Sequence, residues 1–275
     1  MKNITTPRTT PRWRNFIFAA MVFTVCLMPA CGRSSENSVI VAGSTSVQPY
    51  AEVLAEEYAL LHPESEIDVQ GGGSSAGITA AKSGTADIAM SSRDLTEDEQ
   101  QLWCIEIAKD GLSVIINPKN PIADLTLEQV RDIYTAKISN WSELGGPDAK
   151  IHIIAREEGS GTRSAFESLV MGTEWITPKA IVQDSNGAVR QLVADDPHSI
   201  GFISLGLMDS TVKALRLDGV EPTRENVING SYSLFRPFLF VLSGEPTGLT
   251  KQFIDFILSP DGQQILTHEG LIPHG

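Results

Sequence analysis

The chain has 275 residues, with 21 Lys and Arg against 34 Asp and Glu, and a formal charge of −13 at pH 7. A nucleic-acid binder needs a basic face, so that class is excluded. An anionic small ligand is not, because a buried site is built from local N–H dipoles and one or two cations while net charge acts at long range.

In chain order, Lys2, Arg8, Arg12 and Arg14 form a basic leader, and Phe16 to Ala30 is an almost unbroken apolar run. This predicts a secretory signal over residues 1–30, with an apolar run too short for a comfortable membrane span. Ala30-Cys31-Gly32, followed by a polar spacer to residue 37, resembles a bacterial lipobox, in which the Cys is acylated and becomes the new N-terminus. The alternatives are ordinary signal cleavage and an uncleaved anchor; each leaves the body of the protein outside the cytoplasm. Removing the leader leaves 17 basic against 34 acidic residues. Cys26 lies in the leader and Cys31 is the expected lipid site, so Cys104 has no disulfide partner and is expected as a buried apolar side chain.

Ser38 to Gly43 reads as a short buried strand. A helix follows with Tyr50, Leu54, Tyr58 and Leu61 on one face, ended by His62-Pro63. Glu66 to Gln70 and Asp87 to Ser92 are further strands, each leading through a polar turn into a helix, the last capped near Thr96. This alternation predicts βαβ units and a mainly parallel sheet. Leu112 to Asn117 is a strand, and the Pro118 to Pro121 bend reads as a domain crossing. Thr126 caps a helix with Leu127, Val130, Ile133 and Tyr134 facing inward. Strands are expected at Lys150 to Arg156, Ser199 to Ser204 and Ala214 to Leu217, with Pro237 to Ser243 crossing back. Helices follow from Leu249 to Leu258 and from Ser259-Pro260.

Four segments share one design, in which a strand ends, small hydroxyl and Gly residues follow, and a helix begins. They are Gly43-Ser44-Thr45-Ser46, Gly73-Ser74-Ser75, Ser91-Ser92-Arg93 and the Arg156 to Thr162 turn. Helix N-termini offer unpaired N–H groups and a positive dipole end, and Gly lets an anion approach the backbone. In an open α/β sheet such turns collect at the carboxyl ends of the strands. Ser and Thr add donors without bulk, and Arg adds a charged fork. None of the Gly-rich turns continues into Gly-Lys-Ser/Thr, so there is no Walker A loop. Taken singly, each turn is equally an ordinary N-cap.

These turns resemble those of the phosphate-binding proteins of phosphate ABC importers. So do Lys137-Ile138-Ser139-Asn140-Trp141, Leu144-Gly145-Gly146, Ser199 to Gly206 and Phe256 to Gln263, in the same order along the chain. The resemblance implies an α/β, two-lobed type II periplasmic-binding-protein fold, each lobe a mostly parallel sheet flanked by helices, with the ligand in the interlobe cleft. Residues 38–112 and 237–275 would form one lobe and 113–236 the other. It implies inorganic phosphate held by Thr45, Ser46, Ser74, Ser92, Arg156, Ser160, Gly161 and Thr162, with Ser44 and Ser75 as further candidates. It also implies delivery to a membrane permease and ATPase by a monomer, without cofactor, metal or covalent chemistry.

Ser92 falls where several such proteins place an Asp that accepts the proton of phosphate. Glu158 is a replacement acceptor or, better, the group that orients Arg156, while Glu157 is expected in solvent. Arg93 supplies a second cation or pairs with Asp94 or another local acid. Sulfate, molybdate or a phosphonate as ligand, and sensing or scavenging as role, stay open. A hydrolase is the rival class, since Gly73-Ser74-Ser75-Ala76-Gly77 fits the G-x-S-x-G pattern with Ser75 as nucleophile. Against it, the histidines are scattered and no His-Gly-Gly-Gly segment is present; the same scatter argues against a metal site.

Overall fold

The computed structural model describes residues 37–274, so the leader, Cys31 and residues 32–36 of the spacer lie outside it. The first βαβαβ run consists of β1 (Ser38–Gly43), α1 (Gln48–Leu61), β2 (Glu66–Gly71), α2 (Ser74–Ser83) and β3 (Ile88–Ser91). β1 pairs in parallel with β2 and β3. A parallel sheet is covered on both faces, and β3 is accordingly buried at every residue. α1 carries Pro49 in its first turn, where a missing N–H costs nothing.

β4 (Trp103–Ile116) is followed by β5 (Asp124–Leu125), α3 (Leu127–Tyr134), β6 (His152–Arg156), α4 (Gly161–Phe166), β7 (Ile181–Gln183), α5 (Asn186–Asp195) and β8 (Ser199–Ser204). Then come β9 (Lys213–Ala214), β10 (Arg216–Leu217), α6 (Arg224–Ile228), β11 (Phe235–Leu242), α7 (Gly248–Leu258), α8 (Pro260–His268) and β12 (Ile272–Pro273). The main sheet runs β2-β1-β3-β11-β4-β8-β6-β7, and β5 and β10 form a small separate pair. β8, β6 and β7 are parallel to one another, as β2, β1 and β3 are. Between these parallel sets stand β11 and β4, antiparallel to their neighbours.

Two apolar cores flank this central pair. One gathers Val41, Leu54, Tyr58, Met90, Phe240 and Phe253; the other gathers Val114, Ile133, Tyr134, Trp141, Phe166 and Phe202. β4 belongs to both. Trp103 to Gly111 pairs with β11 and supplies Ile107 and Ala108 to the first core. Leu112 to Ile116 pairs with β8 and supplies Leu112, Val114 and Ile116 to the second. The chain therefore passes between the cores within β4, near Gly111, and not at Pro118 to Pro121, which lie beyond the strand's end.

Other expectations are corrected locally. Leu61 is 64% exposed, and His62 stacks on Tyr58 at 4.3 Å beyond the last helical turn. Cys104 is exposed, not buried. Thr96 caps a single 3₁₀ turn, Glu97–Glu99. The expected strand at 214–217 is split, because Ala214 pairs with β4 and Leu217 with β5. Leu127 is only partly buried, while Val130, Ile133 and Tyr134 face inward. No helix among the described residues is long and apolar enough to cross a membrane.

Candidate functional site

The four polar turns meet between the two cores. Gly43 ends β1 at φ 137°, where a Cβ would stand 2.4 Å from the Met90 carbonyl oxygen, so only glycine lets β1 and β3 close up. That contact sets the Ser44 turn directly over the Ser92 turn. The Ser44 hydroxyl donates to Ser92 Oγ at 2.8 Å and accepts from the Ser46 N–H at 3.2 Å. The Ser92 N–H donates to Ser74 Oγ at 3.1 Å, and the Ser74 and Ser92 hydroxyls stand 3.5 Å apart. Ser44, Ser46, Ser74 and Ser92 are all at most 1% exposed.

From the other core, β6 delivers Arg156, itself 1% exposed. Nε and Nη2 donate to the two Glu157 carboxylate oxygens, both at 2.9 Å. Nη2 also donates to the Asp184 carbonyl at 3.0 Å and to Thr45 Oγ1 at 3.0 Å. Nη1 makes one long contact, 3.4 Å to Thr162 Oγ1, and is the least committed arm of the guanidinium. Thr162 Oγ1 lies 2.7 Å from Ser46 Oγ, and the Ser75 N–H donates to the Gly159 carbonyl at 3.2 Å, so the two halves of the molecule touch. Gly161 is required at this contact, since a Cβ there would stand 2.3 Å from Ser74 Oγ and 2.4 Å from Ser92 Oγ.

The structure thus brings together Ser44, Thr45, Ser46, Ser74, Ser92, Arg156, Gly161 and Thr162. Ser160 is buried beside them, but its hydroxyl caps α4 by accepting from the Arg163 N–H at 3.2 Å. The two acids exchange their expected places: Glu158 is exposed and Glu157 clamps Arg156. The physical reason is the turn closed by the Ser160 N–H on the Glu157 carbonyl, which folds Glu157 back and leaves Glu158 at the loop tip.

Arg93 is held by Glu99, with Nη1 and Nη2 donating to its two oxygens at 2.7 and 3.0 Å. The pairing holds the Glu99 carboxyl at about 2, well below the ordinary 4.5. Arg93 Nη2 also reaches Ser75 Oγ at 3.3 Å, so the hydrogen-bond partner of that serine is a cation and not a base. Among the described non-glycine residues only Ala136 and Asp218 have positive φ, so Ser75 does not sit on the strained elbow of an esterase. A cavity of about 400 Å³ lined by Ser75, Arg93, Ser164 and Arg236 flanks the site. No cluster of three or more metal-ligating side chains is found among the described residues.

Sequence reasoning missed two groups. Asn186, 2% exposed at the start of α5, donates from Nδ2 to Ser46 Oγ at 2.9 Å. Its turn, Asp184-Ser185-Asn186, is a fifth strand–polar–helix junction, hidden because β7 has only three residues. The second group is the Asp110–Arg236 pair, 2.9 Å apart on facing positions of the crossing strands and fully buried. Burial pushes the Asp110 carboxyl above its ordinary range, opposed by Arg236 and by the Ser204 hydroxyl, which donates to Asp110 at 2.8 Å.

Two cores joined by crossing strands, with helix starts converging on a buried polar cage between them, define a solute-binding protein that closes on its ligand. The description "PBP superfamily domain" applies to residues 31–261, by a match to that family's model. A curated phosphate-binding protein PstS from Bacillus subtilis (strain 168) is 35% identical over 246 residues, covering 87% of this chain and 81% of the relative. A solved structure from Clostridium perfringens, described as a phosphate ABC transporter substrate-binding protein with bound phosphate, superposes with TM-score 0.84 at 47% identity, over 87% of this chain and 100% of that one. An ABC-type phosphate transport receptor from Vibrio cholerae gives TM-score 0.73 at 41% identity, over 86% and 100% of the two chains. The chain belongs to the PBP superfamily and, within it, to the family of PstS phosphate-binding proteins, with their type II fold.

Proposed function

We propose that this protein captures inorganic phosphate outside the cytoplasm and delivers it to the permease and ATPase of an ABC importer, without covalent chemistry. The observation that carries the reading is the convergence of the Arg156 guanidinium, bonded through Nη1 to Thr162 and through Nη2 to Thr45, with the buried hydroxyls of Ser46, Ser74 and Ser92, drawn from both cores. The starts of α1, α2, α4 and α5 lie beside these hydroxyls and bring the positive ends of their dipoles to the region; charge-assisted hydrogen bonds there contribute roughly 1.5–3 kcal/mol each. Because Glu157 neutralises Arg156, these dipoles and hydroxyls carry much of the anion's stabilisation. Residues 38–112 and 237–275 form one lobe and 113–236 the other, and closure brings Ser46 onto Thr162. Ser92 Oγ, which accepts from Ser44 and keeps a second lone pair, accepts a hydrogen bond from the protonated oxygen of phosphate where a carboxylate is otherwise expected.

Cys31 is the lipid attachment point and the protein works as a monomer. Calorimetric titration of residues 32–275 with phosphate, arsenate, sulfate and molybdate tests the ligand: phosphate and arsenate are expected to bind tightly, and tight sulfate binding without phosphate binding would overturn the reading. Detergent-phase partitioning that is lost in Cys31→Ala tests the anchor.

A further inference from the structure

We propose that Asn186 is a positioning residue that sets the direction of the hydrogen bonds in the cage, forcing the Ser46 hydroxyl to donate toward the ligand. The inference rests on the oxyanion-binding reading above. The side-chain amide of Asn186 is held between one lobe and the other. Its Oδ1 accepts from the backbone N–H of Ser204 at 3.2 Å, and its Nδ2 donates to Ser46 Oγ at 2.9 Å. A backbone N–H can only donate, so the amide oxygen must face Ser204 and the amide nitrogen must face Ser46.

Ser46 Oγ therefore accepts from Asn186, and its single hydrogen must go elsewhere. Ser46 is 1% exposed, so that hydrogen has no route to bulk water. The neighbour within reach is Thr162 Oγ1 at 2.7 Å, on the ligand side of the cage. Thr162 Oγ1 in turn accepts from Arg156 Nη1 at 3.4 Å, and Thr45 Oγ1 accepts from Arg156 Nη2 at 3.0 Å. Thr45 and Thr162 thus take hydrogen bonds from behind and keep their own hydrogens for the cleft, while the hydrogen of Ser46 is directed to Thr162 on the ligand side. Asn186 does for Ser46 what Arg156 does for Thr45 and Thr162, and it adds no charge.

The amide is itself braced. Ser204 donates from its hydroxyl to Asp110, which is clamped by Arg236 on the crossing strands. An unbroken hydrogen-bonded path thus runs from the cage, through Asn186 and Ser204, to the strands that join the lobes.

A double-mutant cycle in phosphate affinity, measured by calorimetry on residues 32–275, tests the assignment. Asn186→Ala and Ser46→Ala are each expected to weaken binding about tenfold, and the double variant no more than about twentyfold, because the first acts through the second. A double variant weakened by the full product of the single effects, about a hundredfold, would overturn it. Asn186→Asp is expected to lose more than Asn186→Ala, since a carboxylate accepts the Ser46 hydrogen and turns the donor away from the anion; equal or tighter binding than Asn186→Ala would also overturn it. Asn186→Ser repeats the cycle if the alanine variant fails to fold. If the parent protein binds sulfate and not phosphate, the ligand reading fails and the same cycle run on sulfate decides this inference separately.

Discussion

Arg93 and Arg156 occupy turns of the same design, at the end of a buried strand beside buried serines, and each is gripped by a glutamate through two hydrogen bonds. Their roles differ because the grip differs. Glu99 takes Nη1 and Nη2 of Arg93, and the Asp94 carbonyl takes Nη1 again at 2.8 Å, so the fork faces protein. Glu157 takes Nε and Nη2 of Arg156, leaving Nη1 to face the hydroxyls of the cleft. An arginine at a strand end thus turns an arm to the cleft or is spent as a brace according to which edge of the guanidinium its acid covers.

The sharpest way to break this comparison is Arg156→Ala, expected to lower phosphate affinity about a hundredfold by calorimetry through loss of two or more charge-assisted contacts. Arg93→Ala is expected to change affinity less than about threefold; it should instead cost about 2–3 kcal/mol in denaturant unfolding, because Glu99 is left unpaired at 10% exposure. Affinity losses of similar size for the two variants would erase the distinction.

Gly161→Ala probes the ground beside Arg156. A methyl group 2.3 Å from Ser74 Oγ should hold the lobes apart and weaken phosphate binding about tenfold or more, with little change in melting temperature. The smallest effect concerns Glu99. Its folded value of about 2 lies below the ordinary 4.5, so its contribution to stability is complete above about pH 4.5 and fades as pH falls toward 2. Glu99→Gln should flatten the stability profile across that window, and an unchanged slope would contradict the pairing.

Much of the site was legible in the residues because its parts are local. A strand, a Gly or Ser turn and a helix start are written within ten residues, and Gly43, Ser74, Ser92, Arg156 and Thr162 could be picked out one turn at a time. The parallel arrangement of β1, β2 and β3 followed from the same alternation. The expected boundary between residues 112 and 113 falls inside β4, while Pro118 to Pro121 bend the chain just beyond that strand, because a proline pair marks a bend whether or not a core ends there. β4, which joins the cores, is continuous strand and bears no such mark.

By itself the sequence determined the chemistry on offer, namely which turns carry donors and cations. Tertiary structure alone decided which donors are left over for a ligand. That Glu157 and not Glu158 grips Arg156, that Glu99 occupies Arg93, and that Asn186 stands behind Ser46 all depend on distances between chain segments up to 140 residues apart. Hydrogen-bond direction is set by what each group already accepts, and that is fixed only when the segments are packed together.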